Sequence, residues 1–141
     1  MHPCFTHLSI STLAAGTPIT AVPAMFAAAR TRAQAAGVTG AMVFDGAGFC
    51  VLFEGASAAV LRCFEEQRRD VRATDAMAVQ HGPCAAPRHR AFLSGYSSAD
   101  DLPPSEQLRG LEGEAALDRY RALEKRRLEL RQRLKPATGG M

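Results

Sequence analysis

Apolar and polar positions change period several times along the chain, and each change marks an element. Phe5-Thr6-His7-Leu8-Ser9-Ile10-Ser11 alternates, with Phe5 and His7 on one face and Thr6, Leu8 and Ile10 on the other. A period of two predicts a short strand. Gly16 to Pro18 breaks the pattern. From Thr20 to Ala36, strong helix formers carry Val22, Met25, Phe26 and Ala29 at helical spacing, and Gly37 stands where a C-terminal cap belongs. One amphipathic helix is expected there.

Two apolar runs, 38–44 and 49–53, flank Asp45-Gly46-Ala47-Gly48. Asp-Gly tolerates the positive φ of a tight turn, so the pair reads as a β-hairpin. The second run is apolar at every position, which predicts a central strand covered on both faces. Ala56 to Asp70 is a second helix, with Val60, Leu61 and Phe64 on one side and Glu65, Glu66, Arg68 and Arg69 toward the other. Asp75 to His81 predicts a fourth strand through Met77 and Val79, residues 82–87 a loop, and Ala91 to Ser97 a last short strand. The order β-α-β-β-α-β plus one strand is the ferredoxin-like α+β pattern, an antiparallel sheet with two helices on one face.

Beyond Ser98 the character changes. Residues 99–111 hold Asp100, Asp101, Pro103 and Pro104 and read as a linker, in which Ser105 caps a short turn. Residues 112–135 predict a long helix and 136–141 a frayed tail, so the expected division is a 1–98 domain with a C-terminal helical extension. Ala116, Tyr120, Leu123, Arg127, Leu130 and Leu134 recur at alternating spacings of four and three, a heptad-like seam. A helix packing back on the open face of the sheet needs the same stripe, and a homodimer is the expectation set slightly ahead of it.

With 141 residues the chain is one domain's worth. Its 47% hydrophobic content includes 26 alanines and no Trp, so the core must rest on Leu, Val and Phe. No apolar run approaches the ~18 residues that span a bilayer, and Met1-His2-Pro3-Cys4 lacks a secretory pattern, so a cytoplasmic location is expected. Cys4, Cys50, Cys63 and Cys84 have no CxxC spacing and read as reduced, structural thiols. His7, His81, His89 and Cys84 lack paired ligand spacing, so they read as surface or loop residues and not a metal site. Arg88-His89-Arg90 follows Pro87 and reads as solvated charge, with a phosphate-binding loop as the sharper alternative. The net charge of +3 gathers in a basic run at 125–135 with no interleaved aromatic residue, so neither nucleic acid nor a membrane is expected as partner. No nucleophile-base pair, phosphate loop or metal signature points to an enzyme.

At the hairpin a family resemblance enters. Val38-Thr39-Gly40, Phe44, Gly48, Phe49 and Phe53-Glu54-Gly55, followed by a helix ending in Asp70 and then Arg72, together resemble the BLUF family of blue-light sensors using FAD. The likeness runs from about Phe5 to about Ser97. It implies the ferredoxin-like fold, a flavin slot between the two helices and a signalling role.

Carried over position by position, the resemblance puts Ser9 where the family has its photochemical Tyr and Val51 where it has the Gln that hydrogen-bonds the flavin. Ala33 falls on the flavin-gripping Asn, Arg32 on a companion contact and Glu66 on a basic residue of the second helix. Asp70 and Arg72 match the family's pattern and are carried over as flavin-pocket positions, and Gly95 or Ser97 takes the place of a Trp or Met. No Asn or Trp occurs in the chain, and the only tyrosines are Tyr96 and Tyr120. Valine offers neither donor nor acceptor. The resemblance therefore implies a light-insensitive signalling or protein-interaction module with no cofactor expected, working through a homodimer or a downstream protein at the C-terminal helix. The alternative is an FAD-binding blue-light photoreceptor with atypical flavin contacts. With the slot empty, Arg32 and Glu66 are expected to face each other.

Overall fold

The computed structural model describes residues 4–97 and 103–125. Its strands are β1 (Cys4–Leu13), β2 (Thr39–Phe44), β3 (Gly48–Ala56), β4 (Ala73–Cys84) and β5 (Phe92–Tyr96). Its helices are α1 (Val22–Ala36), α2 (Ser57–Arg68), α3 (Pro104–Leu108) and α4 (residues 113–125). Arg127, Leu130, Leu134 and the 136–141 tail lie outside the described residues. Pro23 sits in the first turn of α1, where its missing N–H costs nothing, and Gly37 closes that helix at φ 70°.

The strands form one sheet in the order β4-β1-β3-β2-β5. β1 pairs antiparallel with β3 and β4, and β2 pairs antiparallel with β3. The expected all-antiparallel sheet is corrected at its end, because β5 runs parallel to β2. Residues 85–91 carry the chain from one edge of the sheet to the other, so β5 enters in the direction of β2. β3 is buried from Gly48 through Glu54, as its unbroken apolar run predicts. The turn before it is built by Asp45, whose Oδ1 accepts from the N–H groups of Ala47 (3.0 Å) and Gly48 (2.8 Å). Gly40 of β2 has φ 143°, and a Cβ there would run into the Leu52 backbone carbonyl of β3, so no other residue fits.

Side-chain alternation divides the sheet into two packed faces. α1 and α2 cover one, where Phe26, Ala29, Ala33, Met42, Phe44, Phe49, Val51, Phe53, Val60 and Phe64 form the main core. Leu8, Ile10, Cys50 and Leu52 point to the opposite face, and Leu108, Ala116, Leu117 and Tyr120 cover them. Each such Leu or Ile left in water forfeits about 1.5–3 kcal/mol, so the apolar stripe of α4 closes on its own sheet. The dimer seam expected for Ala116, Tyr120 and Leu123 is thereby corrected for the described residues, all three being buried within the chain. α3 lies inside the stretch read as a linker. Ser105 is in its first turn, makes no side-chain cap, and donates its N–H to Asp45 Oδ2 at 2.7 Å.

One cysteine expectation is also corrected. The β1–β4 register sets Cys4 directly opposite Cys84, with Cα atoms 5.1 Å apart, and the two form a disulfide. Cys50 and Cys63 are free and buried. Burial pushes both thiols up, with Asp45 adding to the effect at Cys50 and Glu66 at Cys63.

Candidate functional site

On the face covered by α1 and α2, the register builds one row across the middle of the sheet. Ser9 of β1 lies opposite Val51 of β3, Val51 opposite Met42 of β2, and Met42 opposite Ser94 of β5. Ala33 comes down on this face from α1, in the same core cluster as Val51 and Met42. Ser9, Ala33 and Val51 are each 0% exposed, so no water-sized sphere touches any of them. Polar atoms remain beside this packing: Ser9 Oγ, Ser11 Oγ, His7 Nδ1 and Gln67 Oε1 are buried without a hydrogen-bond partner among the described residues. Each such group costs about 1–3 kcal/mol unless something pairs it.

His7 is therefore corrected from surface to core. Burial, then the nearby His81, lowers its pKa to about 4, so it is neutral at pH 7. Its ring packs 4.2 Å from that of Phe64, centroid to centroid. His81 is exposed on the same side and His89 lies on the opposite face, so these histidines do not converge.

The charged positions lie higher, toward solvent. Arg32 Nε stands 4.0 Å from Glu66 Oε1, bringing the two together as expected. Their side chains are 28% and 44% exposed, so the pair contributes ~0–1 kcal/mol. Asp70 accepts a bidentate pair from Arg72, Nε to Oδ1 at 2.9 Å and Nη2 to Oδ2 at 2.8 Å, and also the Arg72 N–H. That hydrogen bonding lowers the Asp70 pKa against the cost of burial, and Arg32 helps through its charge. Asp70 and Arg72 thus clamp the turn into β4. Gly95 pairs with Val43 and is buried, and so is Ser97, whose Oγ has no partner among the described residues.

The most strongly built polar cluster is on the other face, and the reading of Arg88-His89-Arg90 as solvated charge missed it. Glu54 of β3 is fully buried. Its carboxylate accepts from the Arg88 and His89 backbone N–H groups at 3.2 Å and from His89 Nδ1 at 2.7 Å. His89 Nε2 donates in turn to Glu124 Oε1 of α4 at 2.9 Å. Burial opposes charge on the ring, but the hydrogen bonds and charges of Glu124 and Glu54 outweigh it and raise His89 to about 9. At Glu54, burial is likewise outweighed by His89 and the two backbone donors, and the pKa falls below 4.5. The ring is an imidazolium at neutral pH, tying β3, the β4–β5 loop and α4 together. One signal was available in the sequence: an acid closing an all-apolar central strand needs a buried cation as partner.

The linkage has a definite sign. A raised His89 pKa adds stability that is fully present below 6.5 and lost as pH rises through about 9, while the depressed Glu54 pKa adds stability lost as pH falls below 4.5. The thermal midpoint is expected to drop between pH 7 and pH 10, together with the downfield imidazole N–H resonances of His89. A midpoint flat across that range would show that the ring carries no proton to lose.

The profile of the family described as sensors of blue-light using FAD, BLUF, matches residues 5–95. No curated relative matches. Among solved structures, the chain is similar to the BlrP1 BLUF structure (TM-score 0.62, 22% identity, 69% of this chain and 66% of that chain). It is also similar to the BLUF protein BlrB in its dark state (0.62, 22%, 69% and 74%). A bacterial light-regulated adenylyl cyclase is similar as well (0.63, 15%, 86% and 36%). These likenesses establish a shared fold, and no helix among the described residues is long and apolar enough to cross a membrane. The five-stranded sheet, the Thr39-Gly40 hairpin and the profile covering both agree: the chain belongs to the BLUF family.

Proposed function

We propose that the chain is a BLUF-family sensory or regulatory domain whose flavin slot is filled by its own side chains and whose output is a protein contact at the C-terminal helix. The single observation that carries this reading is the zero exposure of Ser9, Ala33 and Val51. A flavin ring needs a gap lined by donors and acceptors at those positions. Ala33 and Val51 supply no polar side-chain atom, and no gap adjoins them. The residues present do not fit the cofactor, and Arg32 with Glu66 bridges the helices above the filled slot. Because Ala116, Leu117, Tyr120 and Leu123 are spent on the sheet, a partner or second copy at α4 meets its outer residues, Asp118, Arg119 and Ala122.

A second reading, an FAD-binding photoreceptor with atypical contacts, is favoured by the unpartnered Ser9 Oγ, Ser11 Oγ and Gln67 Oε1. Illumination separates the two. After incubation with excess FAD, the first reading expects a light-minus-dark difference spectrum without a red-shifted flavin band, since Val51 has no hydrogen bond to rearrange. A reversible red shift would establish the second.

A further inference from the structure

A cleft of about 490 Å³ opens between the β4–β5 loop and α4, lined by Arg88, His89, Arg121, Ala122, Glu124 and Lys125. An adjoining hollow of about 270 Å³ shares Arg88 and Arg121 with it and is bordered by Thr6, Cys84 and Glu114. The cations outnumber the acids here. Glu124 accepts from His89 at Oε1 while its Oε2 is buried without a partner among the described residues, and Glu54 is engaged behind the ring. Elsewhere on the surface Arg32, Arg68, Arg72 and Arg109 each meet a carboxylate. The side chains of Arg88, Arg121 and Lys125 have no such partner among the described residues. Arg121 is the telling case, because its Nε–H is buried without an acceptor among the described residues. A buried donor without an acceptor is costly, and its usual explanation is a missing partner.

We propose that this cleft is a binding site for a phosphate-class dianion, held by the Arg88 and Arg121 guanidinium groups with Lys125 at its rim. Guanidinium presents a rigid fork of donors that matches a tetrahedral oxyanion in two-point contact. The Glu54–His89–Glu124 chain fixes the β4–β5 loop against α4 and so holds Arg88 and Arg121 at one opening, pre-organised for such a ligand. The proposal stands apart from the flavin slot, which lies on the other face of the sheet, and holds whichever way that slot is read.

Titration calorimetry on the whole chain, with inorganic phosphate and with glycerol phosphate at matched ionic strength, tests it. Saturable one-site binding is expected. Arg121→Gln or Arg88→Gln should weaken it about tenfold, the loss of one charge-assisted contact, while Arg69→Gln on α2's far end leaves it unchanged. Tighter binding of glycerol phosphate would assign a phosphorylated small molecule, and equal binding the free ion. The thermal midpoint of each variant confirms that it is folded, and phosphate-induced stabilisation of the unaltered chain gives a second readout independent of the variants. The proposal is overturned if no saturable binding appears, if both cleft variants bind as the unaltered chain does, if Arg69→Gln loses as much as they do, or if only a polyanion such as heparin binds.

Discussion

Replacing His89 with alanine is expected to destabilise the chain by roughly 3–5 kcal/mol at pH 7, the cost of removing one partner from a buried charge pair. Glu54 is fully buried and Glu124 only 17% exposed at its side chain. His89→Ala leaves Glu54 with backbone donors alone and sets two carboxylates across a vacated ring. A loss of this size lowers the thermal midpoint by roughly 10–20 °C. The double change Glu54→Gln with His89→Gln should restore part of it, because it removes the uncompensated charge at Glu54, the more deeply buried of the two acids. Proteolysis offers a second readout, since α4 is released first if this clasp holds it on the sheet. A loss below about 1 kcal/mol would mean that the cluster behaves as a solvated surface pair.

Ser9→Tyr, Ala33→Asn and Val51→Gln, made together, form the second large perturbation. All three enlarge side chains in fully buried positions, and overpacking costs about 1–3 kcal/mol for each. The triple variant without ligand should therefore unfold well below the unaltered chain in urea. Added FAD should recover stability, because it binds a slot that the larger polar side chains now line and hold open. Tolerance of all three changes without loss would show that the space between α1 and α2 is open already.

Much of the fold was legible because its signals are local. The alternation at Phe5 to Ser11, the Asp45-Gly46 turn and the Gly37 cap each depend on a few neighbouring residues. Non-local features escaped. β4 continues through Gly82 and Pro83, which read as a loop, since an edge strand tolerates a proline that a central one does not. Cys4 and Cys84 are separated by 80 residues and meet only through strand register. The stripe of α4 has the same spacing whether it faces a second copy or its own sheet; the apolar sheet face of Leu8, Ile10, Cys50 and Leu52, which α4 buries, decides between them. At the slot, the positions came from resemblance, and only the Arg32–Glu66 approach followed from charge. His89 was hidden by its two arginine neighbours, although 35 residues away Glu54 already required a cation.

The flavin content of the protein, purified from cells replete with FAD, tests the proposed filling of the slot most directly. Denaturation followed by flavin fluorescence counts the cofactor per chain. Packing of Ser9, Ala33 and Val51 without any gap predicts a colourless preparation releasing FAD far below one per chain. A yellow preparation releasing near-stoichiometric FAD would contradict it.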